Sequence, residues 1–371
     1  MTMITYTYEE LLAHKESGRV PAAAIEKLRG KADEILTKPT LKVTDVRLPR
    51  PSGNPHDYVS MGPYWWPNPD TPDGLPWVNR DGEYNPLATS APRAVEVYSR
   101  IRTLALAEFY IGGGKYAEYA NRQLYDWFLN PETKMNPHAT YAQGIPGHCD
   151  GRSVGLIDFA SVYNLFNAIG ILEGLGLITE DTVSGVRAWF VEFGDWMLTH
   201  EYGIGAGNAG NNHGSWHDAN VIATAVFTER GALVKSICNT AYFNRIARQI
   251  TPLGEQPHEL ARTQSLGYSF FNLRAMLVIA NVAERYGFNE YWGIDEVRGE
   301  CILVSAVNFL HGYIKNPEAY PYKNIHGVSQ KSENMASVLL SVAKRYPNGD
   351  YAERAKEFIT DDADLWLEPI M

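Results

Sequence analysis

Cysteine is scarce in this chain. Three thiols, Cys149, Cys238 and Cys301, lie far apart in 371 residues. None has the CxxC spacing of a metal or redox site, which leaves buried structural thiols as the plain reading. Positive charge is also short: 33 lysines and arginines stand against 43 acidic residues, a formal net charge of -10. That balance argues against a nucleic-acid binder, which shows a basic face. It also lends no long-range attraction for an anion, so an acidic substrate has to be met by a local cluster of cations. The N-terminus, "MTMITYTYEELLAHKESG", lacks a basic segment followed by an apolar run, so no secretory signal is visible. No apolar stretch reads as long enough to span a membrane. The expectation is a soluble protein without a membrane partner, either cytoplasmic or beginning after a removed signal. Strand alternation of any length is missing too, and no break divides the chain, so it reads as one domain over residues 1–371.

What is present is helical periodicity and a core to support it. The composition is 45% hydrophobic and 12% aromatic, too apolar for disorder. "AAAIEKLRGKADEILTK" follows Pro21, a good first-turn residue. "APRAVEVYSRIRTLALAEFYI" ends at "GGG", and "KYAEYANRQLYDWFL" stops at Asn130-Pro131. "RSVGLIDFASVYNLFNAIGILEGLG" reads as another helix. "TEDTVSGVRAWFVEFGDWMLTH" has Thr179 as N-cap and acidic residues in its first turn. Further periodic segments continue to the C-terminus. Roughly a dozen helices in antiparallel hairpins without a sheet point to an all-α fold, an α/α toroid or incomplete α/α barrel around a cleft.

One long segment breaks the pattern. From about Pro39 to Ala91 the chain is rich in Pro, Gly and Asn, including "PSGNPHDYVSMGPYWWPNPDTPDGLPWVNRDGEYNP". A stretch this long without periodicity is functional or disordered. Its tyrosines and tryptophans are too apolar for water, so it reads as an ordered arm over the mouth of the cleft. In "GPYWWPNP", Tyr64, Trp65 and Trp66 sit between prolines. Such rings either stack on a pyranose or fasten the arm to the helices. Arg80, nearby in sequence, either meets a carboxylate or lies on the surface.

The stretch "GNAGNNHGSWHDAN", Gly207 to Asn220, crowds polar side chains at the start of a helix. His213 and His217 are four apart and share a helical face, as in zinc sites. The glutamate of HExxH is missing, however, and Gly214 weakens a helix starting before His213. No metal and no other cofactor is expected. The alternative is an anion site, with Asn212 and His213 as donors where helix N–H groups already favour negative charge. Asn211 or Asn212 can also simply cap the helix. Downstream, "HELARTQSLGYSFFNLRAM" places Arg262 and Tyr268 six apart. On one unbroken helix they diverge by about 120°. A bend at TQS and Gly267 brings both to one side, whereas without it they are a surface arginine and a core tyrosine.

Taken together, these motifs resemble the alginate lyase superfamily. "NNHGSWHD" is similar to the Asn-Asn-His-x-x-Trp motif of polysaccharide lyase family 5. The arm is more similar to family 38, which includes alginate and glucuronan lyases. The resemblance covers roughly Asn54 to Ala283. One departure stands out: family 5 places its tyrosine seven residues after the arginine, and here the seventh is Ser269. The resemblance implies an α/α toroid and β-elimination on polyuronates. By the same resemblance, Asn212, His213 and Arg262 handle the substrate carboxylate and Tyr268 exchanges protons. The expected partner is an acidic polysaccharide or oligosaccharide, contacted by Tyr64, Trp65, Trp66, Arg80, Asn211, Trp216 and His217. A glycoside hydrolase on the same toroid needs two flanking carboxyl groups; Asp150, Asp158 and Asp218 are available but show no pairing. A binding protein that uses the aromatic arm alone needs no Tyr268.

Overall fold

The computed structural model describes residues 3–89, 93–327 and 332–371. Ala91, where the expected arm meets the next helix, lies outside the described residues. The helices in chain order are α1 (Tyr8–Glu16), α2 (Ala22–Leu36), α3 (Ala94–Ile111), α4 (Lys115–Leu124), α5 (Tyr163–Gly174), α6 (Glu180–Thr199) and α7 (Glu201–Gly207). They continue as α8 (Asn212–Phe227), α9 (Gly231–Ala241), α10 (Pro257–Leu260), α11 (Ser265–Arg285), α12 (Ile302–Lys315), α13 (Ser332–Arg345) and α14 (Tyr351–Lys356). The strands are short: β1 (Val59–Met61), β2 (Trp65–Trp66), β3 (Val78–Asn79) and β4 (Tyr141–Gly144). The chain forms two compact units. The first is mainly Leu28–Asn208 with Ala223–Glu229; the second is Ile4–Lys27, Ala209–Ile222 and Arg230–Met371. Neither is one continuous segment, so no linker marks them in the sequence.

In the first unit α3 packs on α4, across Gly112–Gly114, and on α5. Gly112, Gly113 and Gly114 all have positive φ, a turn that glycine makes without strain. The core is aromatic: Phe166 stacks on Phe227 at 4.3 Å, and Phe190 packs edge-on to Phe166 and Trp189. Helix α6 begins as the sequence suggests, with the Thr179 hydroxyl accepting from the Thr182 N–H. The segment from Arg152 differs. Ser153–Phe159 is a 3₁₀ stretch and the α-helix starts only at Tyr163, after Ser161 at φ 67°. Within it Asp158, 3% exposed, accepts from Tyr58, Ser60 and Gln143 and ties this segment to the arm.

The described part of the arm is ordered and belongs to this unit. Strand β1 pairs in parallel with β4, Val59 opposite Tyr141. Strands β2 and β3 pair antiparallel, Trp65 opposite Asn79 and Trp66 opposite Val78.

The second unit is built on α11, which buries most of its length and packs against α9, α10, α12 and α13. Two stretches correct the reading of the apolar runs. Ser153–Gly174 and Ser265–Arg285 are long and apolar enough to cross a membrane, but 83% and 78% of an 18-residue apolar window in each are buried inside the protein. They are core segments, and their continuous apolarity reflects burial on all sides. Cys238 and Cys301 are buried free thiols, as expected, while Cys149 is only half-buried.

Candidate active site

The turn that opens α8 is fixed from three directions. Asn211 is the cap: its side-chain oxygen accepts from the His213 N–H at 3.2 Å, and its carbonyl accepts from Gly214 and Ser215. Asn212 is 1% exposed and held by Glu259 of α10, itself 1% exposed. One Glu259 oxygen accepts from the Asn212 backbone N–H and the other from its Nδ2, both at 2.7 Å. Burial pushes the Glu259 carboxyl up, against the two Asn212 hydrogen bonds and a weaker pull from Arg262. The third hold is Arg245. It grips the Asp218 carboxylate through Nε (2.6 Å) and Nη2 (3.1 Å) and donates through Nη1 to the Ala209 carbonyl at 3.0 Å. Gly214 makes room for it, since a Cβ there would lie 2.0 Å from the Ala209 oxygen and 2.6 Å from Arg245 Nη1. Arg245 sits in a π-helical turn, Tyr242–Ala247, that continues α9. Such turns are often found at functional sites.

Arg262 and Tyr268 meet. The chain bends between α10 and α11, placing Arg262 in the turn and Tyr268 in the first turn of α11. The bend falls at 261–264, on the TQS side, and Gly267 is already helical. The Thr263 carbonyl accepts from the Ile325 N–H and Ser265 donates its N–H to the Lys323 carbonyl, which ties the bend to the 323–325 segment. Arg262 Nη2 donates to Tyr268 Oη at 2.9 Å, and its guanidinium carbon lies 3.9 Å from the ring centroid. Both side chains are half-buried. A guanidinium donating to a phenol oxygen favours the phenolate.

Two expected contact residues are elsewhere. Trp216 is 1% exposed and packs against Phe271 at 5.0 Å, because its position on α8 faces the core. It does not present a face to a sugar. His217 is also buried, its Nδ1 3.3 Å from Asp218 Oδ1. Burial acts to raise the Asp218 carboxyl, but hydrogen bonds from His217 and Arg245 outweigh it and hold it below the usual range. This histidine therefore belongs to the support of α8. Among the described residues no group of three or more His, Cys, Asp and Glu is arranged to hold a metal ion.

The arm residues lie in the first unit. Tyr64, Trp65 and Trp66 are all half-buried. Tyr64 packs edge-on to Tyr84, and Trp65 edge-on to His148 at 5.1 Å. Trp66 donates its indole N–H to the Glu83 carbonyl and carries the Arg80 guanidinium 5.3 Å above its ring. Arg80 is also 3.9 Å from the Glu83 carboxylate. Each ring is thus fastened on one side and keeps part of its surface outside.

A family model described as alginate lyase matches residues 42–320. The chain belongs to the alginate lyase family. It is a polysaccharide lyase, and nearly all of the arm, the Asn-Asn-His turn and the Arg262–Tyr268 pair fall inside the matched segment. Among solved structures, an alginate lyase from Bacteroides ovatus is 34% identical, with a TM-score of 0.93 over 99% of each chain. Alginate lyase A1-III is 15% identical and similar in fold. Its apo histidine-to-alanine variant has a TM-score of 0.55 over 92% of this chain and 93% of that one. The same variant complexed with tetrasaccharide has 0.52 over 91% and 90%. The fold class is therefore the all-α toroid of alginate lyases. No curated protein gives a significant sequence match.

Sequence reasoning missed Glu259, Arg245 and Asp218 as the supports of the turn. Glu259 stands three residues before Arg262, which suggests a partner on the same helix; its carboxylate instead serves Asn212 of α8.

Proposed function

We propose that this lyase cleaves 4-linked uronate polymers or oligomers, polymannuronate in alginate or glucuronan, by β-elimination, with Asn212, His213, Arg262 and Tyr268 as its site. The observation that carries the reading is the Arg262–Tyr268 hydrogen bond, which joins a carboxylate-binding cation to a proton carrier. The alginate lyase names of the family and of the Bacteroides ovatus protein support an acidic polysaccharide as substrate.

Elimination begins with loss of the C5 proton, α to the carboxylate. A second negative charge on that carboxylate is strongly disfavoured until donors share it. Arg262, His213 and the Asn212 amide would spread the developing enolate charge. The C5–H electron pair then forms the C4–C5 double bond as the C4–O4 bond breaks, and O4 takes a proton. In β-D-mannuronate and β-D-glucuronate the C5 hydrogen and O4 leave from the same face. One tyrosine therefore suffices: Tyr268 as phenolate accepts the C5 proton and returns it to O4. In α-L-guluronate they lie on opposite faces, and a second group such as His213 has to take the proton. The syn reading uses the residues already paired.

The test is a screen of purified protein on polymannuronate, polyguluronate and glucuronan, followed at the ultraviolet absorbance of the unsaturated uronate. Absorbance should grow on a syn substrate. Chain shortening without it would mean hydrolysis, and binding without shortening would mean a non-catalytic protein.

A further inference from the structure

Arg152, eight residues after the end of β4, is held by a residue of that strand. Its Nε donates to the Gln143 carbonyl at 3.1 Å and its Nη2 to Gln143 Oε1 at 3.0 Å. Gln143 is itself buried and pinned. Its Nε2 donates to Asp158 Oδ1 at 2.9 Å, its N–H donates to Ser60 Oγ at 2.8 Å, and its φ of 51° is one a non-glycine residue adopts only when its surroundings fix it. One edge of the guanidinium is therefore committed to a rigid buried network, while Nη1 keeps no hydrogen-bond partner among the described residues. The cation lies 5.9 Å from the centroid of the Trp65 ring, which is half-buried and braced by His148. Gly62 permits this approach: a Cβ there would be 2.7 Å from Trp65 Cδ1 and 3.0 Å from Arg152 Nη2. Arg80 over Trp66 is a weaker counterpart, because Glu83 already stands beside it.

We propose that Arg152 and Trp65 form a binding subsite for one uronate residue, the guanidinium taking the carboxylate through its Nη1 edge and the indole face taking the pyranose ring. This rests on the reading of a uronate polymer as ligand. The chemistry fits both parts. A guanidinium is the planar two-donor partner of a carboxylate, and pre-orientation by Gln143 reduces the freedom lost on binding. A net charge of -10 supplies no general attraction, so a polyanion has to be held by fixed local cations of this kind.

The test is equilibrium binding of uronan oligosaccharides, and of the same oligosaccharides with carboxyl groups reduced to alcohols, in a Tyr268→Phe background that avoids turnover. Arg152→Ala should weaken the native oligosaccharide about 10- to 100-fold, the range of one charge-assisted hydrogen-bonded contact. It should leave the reduced one nearly unchanged. Trp65→Ala should weaken both alike. Arg152→Lys should recover part of the loss, and Gly62→Ala, which pushes the pair apart without removing either member, should weaken the native ligand. Circular dichroism checks folding, and if Arg152→Ala fails to fold, the lysine and Gly62 variants carry the comparison. Equal weakening of native and reduced ligands by the Arg152 substitutions, or no weakening of either, would overturn the subsite. Binding is read without catalysis, so a missing unsaturated product from the wild type would count against elimination and not against this pair.

Discussion

Replacing Glu259 tests whether the Asn-Asn-His turn is held in place from α10. In Glu259→Ala two donors, the Asn212 N–H and Nδ2, lose acceptors at 2.7 Å in a site where both residues are 1% exposed. Each buried donor left without a partner costs about 1–3 kcal/mol, or about 2–6 kcal/mol for the two. The wild type, though, bears the cost of burying a carboxylate, shown by the upward push on Glu259, so the lower half, about 2–4 kcal/mol, is expected. For 371 residues unfolding together, an entropy of about 2.1 cal/mol/K per residue makes 1 kcal/mol worth about 1.3 °C, hence a fall in Tm of about 3–5 °C. If Asn212 serves the proposed elimination, activity should fall further than stability, since misplacing such a donor by about 1 Å costs on the order of 100-fold. The pH dependence has a defined sign. Folded Glu259 holds its proton more tightly than the unfolded chain, whose value is near 4.5, so this residue makes stability decline as pH rises from 4.5 through the raised value. Glu259→Gln should lack that decline. Thermal unfolding across pH 4–8 with kcat/KM at each point checks both. An alanine variant with wild-type Tm and wild-type kcat/KM would show that the clamp holds nothing that matters.

The other expectations concern the site more directly. Tyr268→Phe should lower kcat by about 10²–10⁴ while oligosaccharide binding by calorimetry stays close to wild type; retention of most activity would move the proton transfer elsewhere. Arg262→Ala should cut kcat/KM severely and shift the pH–rate profile to alkaline pH, because the cation that favours phenolate is gone, and Arg262→Lys should recover only part for want of a planar fork. A folded Arg262→Ala that cleaves the best substrate at the wild-type rate would refute the assigned pair. Gly214→Ala should destabilise by about 1–3 kcal/mol or more in urea unfolding, since its Cβ meets the Ala209 carbonyl at 2.0 Å and backbone has to move. EDTA should leave the rate unchanged, as His217 and Asp218 are already engaged with each other and with Arg245; activity lost to EDTA and restored by zinc would point to a metal.

What could be read in the sequence, and what could not, divides by the range of the interaction. Helix starts and stops depend on neighbours, so the Thr179 cap and the glycine stop after α3 are visible as local signals. The Arg262–Tyr268 meeting is nearly as local: a polar TQS stretch between a proline-started turn and an apolar helix implies a bend, and the bend is there. The 3₁₀ stretch at Ser153–Phe159 is different, because its periodicity is helical while Asp158 is tied to Gln143 and to Tyr58 and Ser60, about a hundred residues earlier. The same holds for Asn212. Its sequence context fits both a cap and an anion donor; the capping falls to Asn211, and Asn212 is bound by a carboxylate 47 residues away. That arrangement changes the chemistry expected of the turn. A buried anion one hydrogen bond behind the asparagine holds one amide N–H, so under the proposed function only the second N–H of Asn212 would face a carboxylate, and the charge would come from Arg262. Under that proposal charge neutralisation would depend on Arg262 and orientation on Glu259, two residues three apart at the end of α10 and in the turn that follows it. A substitution that moves α10 should therefore disturb the anion site and the proton carrier together, whereas one at Tyr268 should affect proton transfer alone.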